Sequence, residues 1–129
     1  MSPDTLPSQF RLARSMSYIS DHDGYKLGAV IYRKKKPIGL GYNHNVKTHP
    51  LMKRYHVRHS FRIHAELNAI LSVRHKHDLT DCTLVVYRET KKGDLALSKP
   101  CEECTKIIKS FGIKEIRYTT AEGWSKEKM

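Results

Sequence analysis

The chain has few acidic residues, only three cysteines and no apolar run long enough to span a membrane. An odd number of cysteines argues against a disulfide framework and favours a reducing compartment. Because the first eight residues also lack the apolar core of a secretory signal, we expect a cytoplasmic protein with no membrane partner. Internal repeats and Gly/Ser-rich linkers are absent, so a single domain over residues 1–129 is predicted.

Acidic residues are scarcest in the middle of the chain. Residues 31–77 contain 11 Lys and Arg but a single acid, Glu66, and the formal net charge of the whole chain is +11. A cleft surrounded by so much positive charge attracts anions, which predicts a phosphate-bearing substrate. For Arg33-Lys34-Lys35-Lys36 alone, a solvated basic turn is the simpler interpretation.

Two short motifs carry residues suited to metal chemistry. They are His64-Ala65-Glu66 and Pro100-Cys101-Glu102-Glu103-Cys104, with 33 residues between them. Imidazole and thiolate are zinc ligands, and a site with three protein ligands keeps one position open for water, as catalytic zinc requires. Taken alone, the cysteine pair also fits a redox site or half of a structural zinc site. Together the motifs predict one zinc ion per chain, bound by His64, Cys101 and Cys104.

The order H-x-E, a long gap and P-C-x-x-C resembles the zinc-dependent nucleobase deaminases. Residues His64 to Ile70 (HAELNAI) and Gly112-Ile113-Lys114 look most like the deoxycytidylate deaminase branch, whereas Ser98-Lys99-Pro100-Cys101 departs from the form typical of the tRNA adenosine enzymes. The resemblance implies a three-layer α/β/α sandwich with a mixed sheet, water activated by zinc that attacks C4 of cytosine, and assembly as a homo-oligomer.

The resemblance also implies roles for residues around the zinc. Glu66 is expected to be the catalytic proton shuttle, and Asn43 to bond the sugar of the target nucleotide. Ala65 is expected to lie against the base, with its backbone amide near the base carbonyl oxygen. An alternative for Asn43 is a turn residue, because it follows Gly41-Tyr42 at the end of a predicted strand.

Two hypotheses for the substrate remain open, and a third denies catalysis. In the first, the substrate is a free pyrimidine nucleotide such as dCMP, with Lys47, Lys53 and Arg54 as phosphate contacts. In the second, the substrate is a polynucleotide: cytosine in single-stranded DNA or RNA, or adenosine in tRNA. The bases of the strand then stack on three aromatic side chains, Tyr42, Tyr55 and Phe61. The motif details favour the first and the charge favours the second. The third is a noncatalytic, zinc-stabilised binding module.

Hydrophobic periodicity predicts three helices and four strands. The helices are expected over Phe10–Ser20, over Phe61–His75 and from Pro100, at the first helical position, to Gly112. The strands are expected over Lys26–Arg33, Pro37–Asn43, Cys82–Arg88 and Ile113–Thr119, followed by a tail that Trp124 packs against the body. Val46–Ser60 is predicted to be a long loop over the site. Two strand-helix-strand segments require a mixed sheet with helices on its faces, in agreement with the resemblance.

The predicted helices bring the two motifs together. His64 and Glu66 fall in the first turns of the second helix, and the i, i+3 spacing puts Cys101 and Cys104 on one face of the third. Unpaired amides at a helix N-terminus favour thiolates, so we expect two helix N-termini to meet at the metal. Cys82 is expected to be a buried structural thiol.

Overall fold

Three α-helices and five β-strands form the part of the chain that the computed structural model describes, namely residues 3–20, 25–43, 64–73 and 78–129. The helices are α1 (Phe10–Ile19), α2 (Ala65–Val73) and α3 (Glu102–Ser110), preceded by a single 3-10 turn at Pro3–Thr5. The strands are β1 (Leu27–Arg33), β2 (Lys36–Tyr42), β3 (Thr83–Arg88), β4 (Glu115–Thr120) and β5 (Gly123–Lys128). The predicted loop Val46–Ser60 lies outside the described residues. None of the described helices is long and apolar enough to cross a membrane.

The strands form one mixed sheet in the order β2-β1-β3-β4-β5. Only β3 and β4 are parallel neighbours, and α3 is the crossover between them. The antiparallel registers pair Leu27 with Arg88 and Gly28 with Tyr42. The start of β1 and the ends of β2 and β3 therefore lie at the same end of the sheet, which we call the carboxyl end of β3.

Alternating side chains on each strand pack against helices on both faces of the sheet. On one face α1 covers a cluster that includes Phe10, Val30 and Tyr87. On the other face α2 and α3 cover a larger cluster that includes Ile31 and Val86. Because successive side chains of a strand point to opposite faces, both faces of the sheet are apolar and each is covered by helices. This arrangement confirms the three-layer α/β/α sandwich. Cys82 is fully buried in the larger cluster, as predicted.

The last strand was not expected from the sequence. The chain turns back at Ala121-Glu122, and β5 pairs along its whole length with β4. Gly123–Lys128 contains one apolar side chain, Trp124, so hydrophobic periodicity gives no signal for this edge strand. The predicted packing of Trp124 is confirmed, because its ring lies 5.7 Å from that of Phe10, centroid to centroid. The prediction that the final strand is the one after Ile113 is wrong.

Candidate metal centre and active site

The first part of the site is the N-terminus of α2. His64 immediately precedes the helix, and its carbonyl oxygen accepts a hydrogen bond from the Asn68 amide at 3.0 Å. Further along the first turn, the Asn68 side-chain oxygen accepts a hydrogen bond from the Tyr42 amide at 2.9 Å. The start of α2 is thereby attached to the end of β2.

Close packing brings α2 against β2 at the same point. A Cβ atom added to Gly41 would lie 2.6 Å from the Ala65 carbonyl oxygen and still closer to the Ala69 amide nitrogen. Only a residue without a side chain leaves room for the helix backbone here. Gly41 and Asn68 therefore fix the height and the position of His64 over the sheet.

The second part of the site is the N-terminus of α3. Cys101 is the N-cap residue in an extended conformation, and its sulfur accepts a hydrogen bond from the Cys104 amide at 3.4 Å. Its carbonyl oxygen accepts the first helical bond, from the Thr105 amide at 2.9 Å. The prediction that Pro100 takes the first helical position is wrong, because the capping cysteine puts that position at Glu102.

Two buried hydroxyl groups hold the segment that leads into Cys101. Ser98 Oγ donates to the Val86 carbonyl at 2.8 Å and accepts from the Thr119 amide at 2.8 Å. Thr119 Oγ1 lies 2.9 Å from Ser98 Oγ and donates to the Ala96 carbonyl at 2.7 Å. This network ties residues 96–98 to the ends of β3 and β4, three residues before the cysteine.

The three predicted zinc ligands converge between the two helix N-termini. Cys104 Sγ lies 3.1 Å from His64 Nδ1, and the donor atoms of His64, Cys101 and Cys104 all lie within 4.8 Å of one another. Donors bound at roughly 2.0–2.3 Å to one tetrahedral zinc ion lie within about 4 Å of each other, so the spacing fits this metal after small side-chain movements. One imidazole and two thiols are also the donor types that zinc prefers.

The interaction between the two cysteine side chains shifts their pKa values in opposite directions. Hydrogen bonding from Cys104, supported by His64 and opposed by burial, lowers the pKa of Cys101 to about 5. The same hydrogen bond, together with burial and the nearby Glu66, raises the pKa of Cys104. Metal ligation requires both cysteines to be thiolates, so a metal would bind more tightly as the pH rises.

Glu66 lies in the first turn of α2 with only 4% of its surface exposed. Burial raises the pKa of this carboxyl above its usual range, and the charge of the neighbouring His64 opposes the shift. A raised carboxyl pKa in a buried position is common at functional sites. The predicted role of Glu66 as a proton shuttle stays a prediction.

The predicted substrate contacts fall into two groups. Ala65 is buried at the start of α2. Asn43 is buried at the end of β2, where its side-chain oxygen accepts from the Leu27 amide at 2.9 Å and its side-chain nitrogen donates to the Tyr25 carbonyl at 3.0 Å. The sugar contact by Asn43 stays a prediction; the described residues accept one of the two N–H bonds of its amide. The proposed phosphate contacts Lys47, Lys53 and Arg54 lie outside the described residues.

Three positioning residues were not predicted: Asn68, Ser98 and Thr119. Asn68 carries a weak signal, since it is a polar residue between Leu67 and Ala69 on a mainly apolar helix. Ser98 and Thr119 are buried polar residues whose partners are largely main-chain atoms of other segments. Hydrogen bonds to main-chain atoms of distant segments cannot be predicted from residue types.

The fold and the donor group define a zinc-binding protein built on a three-layer α/β/α sandwich. Residues 4–120 match the family described as the cytidine and deoxycytidylate deaminase zinc-binding region, and the chain belongs to this family. The family supports hydrolytic deamination of a cytosine-type base as the chemistry of the site. Among curated proteins, none matches the sequence.

Solved structures of deaminases share the fold. A cytidine deaminase from Burkholderia pseudomallei superposes with a TM-score of 0.67 at 16% identity, covering 99% of this chain and 93% of its own. A dCMP deaminase from the cyanophage S-TIM5 gives a TM-score of 0.64 at 22% identity, covering 90% of this chain and 82% of its own. The same cyanophage enzyme in complex with dCMP and dUMP gives 0.63 at 20% identity, covering 90% and 81%.

Proposed function

We propose that the protein deaminates the cytosine base of a free pyrimidine nucleotide, with dCMP as the model substrate. The observation that carries the proposal is the buried Glu66 carboxyl beside the converging donors of His64, Cys101 and Cys104. The choice of dCMP rests on the motif resemblance to deoxycytidylate deaminases. It also agrees with the ligands of the cyanophage enzyme, which was solved with dCMP and dUMP.

His64, Cys101 and Cys104 hold the zinc ion in this proposal. When bound, the metal supplies Lewis-acid activation of the attacking water. Glu66 accepts one proton from that water and passes it to ring nitrogen N3. It then takes the second proton from the hydroxyl group now on C4 and delivers it to the amino group, which leaves as ammonia. Cytosine and water thereby become uracil and ammonia, and the carboxylate returns to its starting state.

The remaining residues orient the substrate. Ala65 leaves room for the pyrimidine ring at the start of α2, and its backbone amide faces the base carbonyl. Asn43 contacts the sugar with the N–H that its internal hydrogen bonds leave over. Lys47, Lys53 and Arg54 are proposed to contribute positive charge toward the phosphate.

Replacing Glu66 tests the catalytic assignment. The Glu66→Gln variant should retain zinc by elemental analysis, whereas dCMP turnover should fall by about a hundredfold or more, because the amide cannot transfer protons. Glu102→Gln is the matched control, since Glu102 is exposed in the first turn of α3 and should leave turnover unchanged. Loss of zinc together with activity in Glu66→Gln would identify Glu66 as a metal ligand instead.

A second candidate function is deamination on a polynucleotide. The net charge of +11 favours it, because strand binding gains affinity from each neutralised phosphate. Incubating the zinc-loaded protein with dCMP, deoxycytidine, single-stranded DNA and tRNA separates the two functions. Conversion of the polymers alone would refute the free-nucleotide proposal, and conversion of dCMP alone would refute the polynucleotide function. No conversion of any substrate would favour a noncatalytic binding module.

A further inference from the structure

Arg88 is the last residue of β3 and lies at the end of the sheet where the site is built. Leu84 and Val86 of the same strand face α2 and α3, so the alternation of a strand turns Arg88 to this face as well. Its partner across the sheet, Leu27, also packs against that cluster. Arg88 therefore shares its side of the sheet with His64 and the two cysteines.

The surroundings of the Arg88 guanidinium are only partly polar. Its central carbon lies 4.6 Å from the centroid of the Tyr25 ring, and one terminal nitrogen donates to the Leu97 carbonyl at 3.3 Å. Its Nε is buried and has no hydrogen-bond partner among the described residues. Within the same set of residues, no carboxylate lies within ion-pair distance of Arg88, whereas Arg14 has two such partners and Arg117 has one.

Because the part of the chain that the structure describes gives the half-buried Arg88 guanidinium no counterion, the group is suited to bind an anionic ligand. Removing a guanidinium from water is unfavourable unless it is paired, and the planar fork of arginine matches phosphate oxygens in geometry. Stacking on Tyr25 holds the group in place before any ligand arrives. Tyr25 is itself 45% exposed, so this pair opens to solvent.

The hydrogen bonds of Asn43 place Arg88 relative to the substrate. Asn43, the proposed sugar contact, donates to the Tyr25 carbonyl and accepts from the Leu27 amide. Tyr25 stacks under Arg88, and Leu27 pairs with it across the strands. Tyr25 and Leu27 thus connect Arg88 to Asn43 at the same end of the sheet.

We propose that Arg88, held by Tyr25 and the Leu97 carbonyl, binds the phosphate of the nucleotide substrate. The inference rests on the proposed function, since it takes Asn43 as the sugar contact and a mononucleotide as the substrate. It makes Arg88 a determinant of specificity for nucleotides over nucleosides.

The test compares Arg88→Gln with wild type on substrates that differ only in the phosphate. We expect kcat/KM for dCMP to fall about 10- to 100-fold, the range for a lost charged hydrogen bond, while kcat/KM for deoxycytidine changes less than about twofold. Arg33→Gln is the matched control, because Arg33 is exposed at the opposite end of the same sheet. It removes the same charge and should change neither value.

Product binding gives a readout that needs no turnover. By calorimetry, zinc-loaded wild type should bind dUMP at least about tenfold more tightly than deoxyuridine, and Arg88→Gln should lose this preference. Arg88→Lys, which keeps the charge without the planar fork, should retain part of it. If wild type converts no cytosine substrate but shows this binding pattern, the proposed function fails while the phosphate site stands.

Two results would overturn the inference. Equal losses of kcat/KM on dCMP and deoxycytidine would show that Arg88 only supports the segment before Cys101. A loss confined to a single-stranded oligonucleotide, with dCMP unaffected, would assign Arg88 to strand phosphates. If Arg88→Gln does not fold, the same comparison with Arg88→Lys and Tyr25→Leu decides between these outcomes.

Discussion

Cys101 combines two tasks in one side chain. Its sulfur caps α3 by accepting a hydrogen bond from the Cys104 amide, and it is one of the three donors that converge at the candidate metal centre. His64 occupies the corresponding position before α2. The metal centre therefore lies where two helix N-termini present partial positive charge, which lowers the free energy of thiolates.

Exchanging Cys101 separates these tasks. Serine is a good N-cap but a poor zinc ligand, whereas alanine is neither. We expect Cys101→Ser and Cys101→Ala both to lose zinc and activity. In the metal-free state, the alanine variant should be less stable than the serine variant by about 0.5–2 kcal/mol. Elemental analysis and urea unfolding measure the two effects, and stoichiometric zinc in Cys101→Ser would contradict the ligand assignment.

The residue types of the candidate site could be predicted from the sequence, but their supports could not. His64, Cys101 and Cys104 are recognisable because zinc accepts few donor types and a short spacing keeps two of them on one helix turn. Asn68 and Ser98 act through main-chain partners 26 and 21 positions away. Any polar side chain of similar size could in principle make such bonds, so the sequence alone does not single out these residues.

At the scale of elements, Gly41 controls how closely α2 approaches β2. Because Gly41 has no side chain, the helix backbone at Ala65 and Ala69 can approach the strand closely. Ala65 directly follows the predicted zinc ligand His64. Gly28 does the same for α1 on the opposite face, where a Cβ atom would collide with the Ala13 carbonyl. The two glycines therefore form a natural pair for comparing the two helical layers.

Gly41→Ala should displace the N-terminus of α2 and weaken zinc binding. Gly28→Ala should displace α1 and leave the zinc affinity near that of wild type. Both variants should lose roughly 1–3 kcal/mol of unfolding free energy, as overpacked positions do. Thermal unfolding of the metal-free proteins checks the stability, and competition with a zinc chelator checks the affinity. Equal zinc affinities in the two variants would show that the approach of α2 does not position His64.

Apolar elements could be predicted from periodicity, and polar ones could not. The strand at Thr83–Arg88 is a continuous apolar run, and its predicted bounds differ from the structure by one residue. β5 alternates in burial but has a single apolar side chain, and it is formed mainly by main-chain pairing with β4, which leaves no hydrophobic signal in the sequence. Pro100 is a common first helical residue, but here the side chain of Cys101 caps the helix one position later.

For the whole molecule, the order of elements was enough to predict the layers. The crossover from β3 to β4 places α3 on one face of the sheet. The amphipathic α1 buries its apolar side on the other face of the sheet. The substrate is harder to predict, because the +11 charge is a property of the entire chain. Such a charge is compatible with a mononucleotide, which has one phosphate, and with a polynucleotide, which has many. Assembly as a homo-oligomer stays a prediction that sedimentation can test.

The salt dependence of KM distinguishes one phosphate from many. A nucleotide held by Arg88 through a single phosphate should give a slope of about 1 or less in a plot of log KM against log salt concentration. Deoxycytidine, which has no phosphate, should give a slope near zero and serves as the control. A strand that contacts four phosphates should give a slope of roughly 3, because each neutralised phosphate releases about 0.7 counterion. Conversion of an oligonucleotide with such a steep slope, and weak conversion of dCMP, would mean that the positive charge of this chain binds a strand.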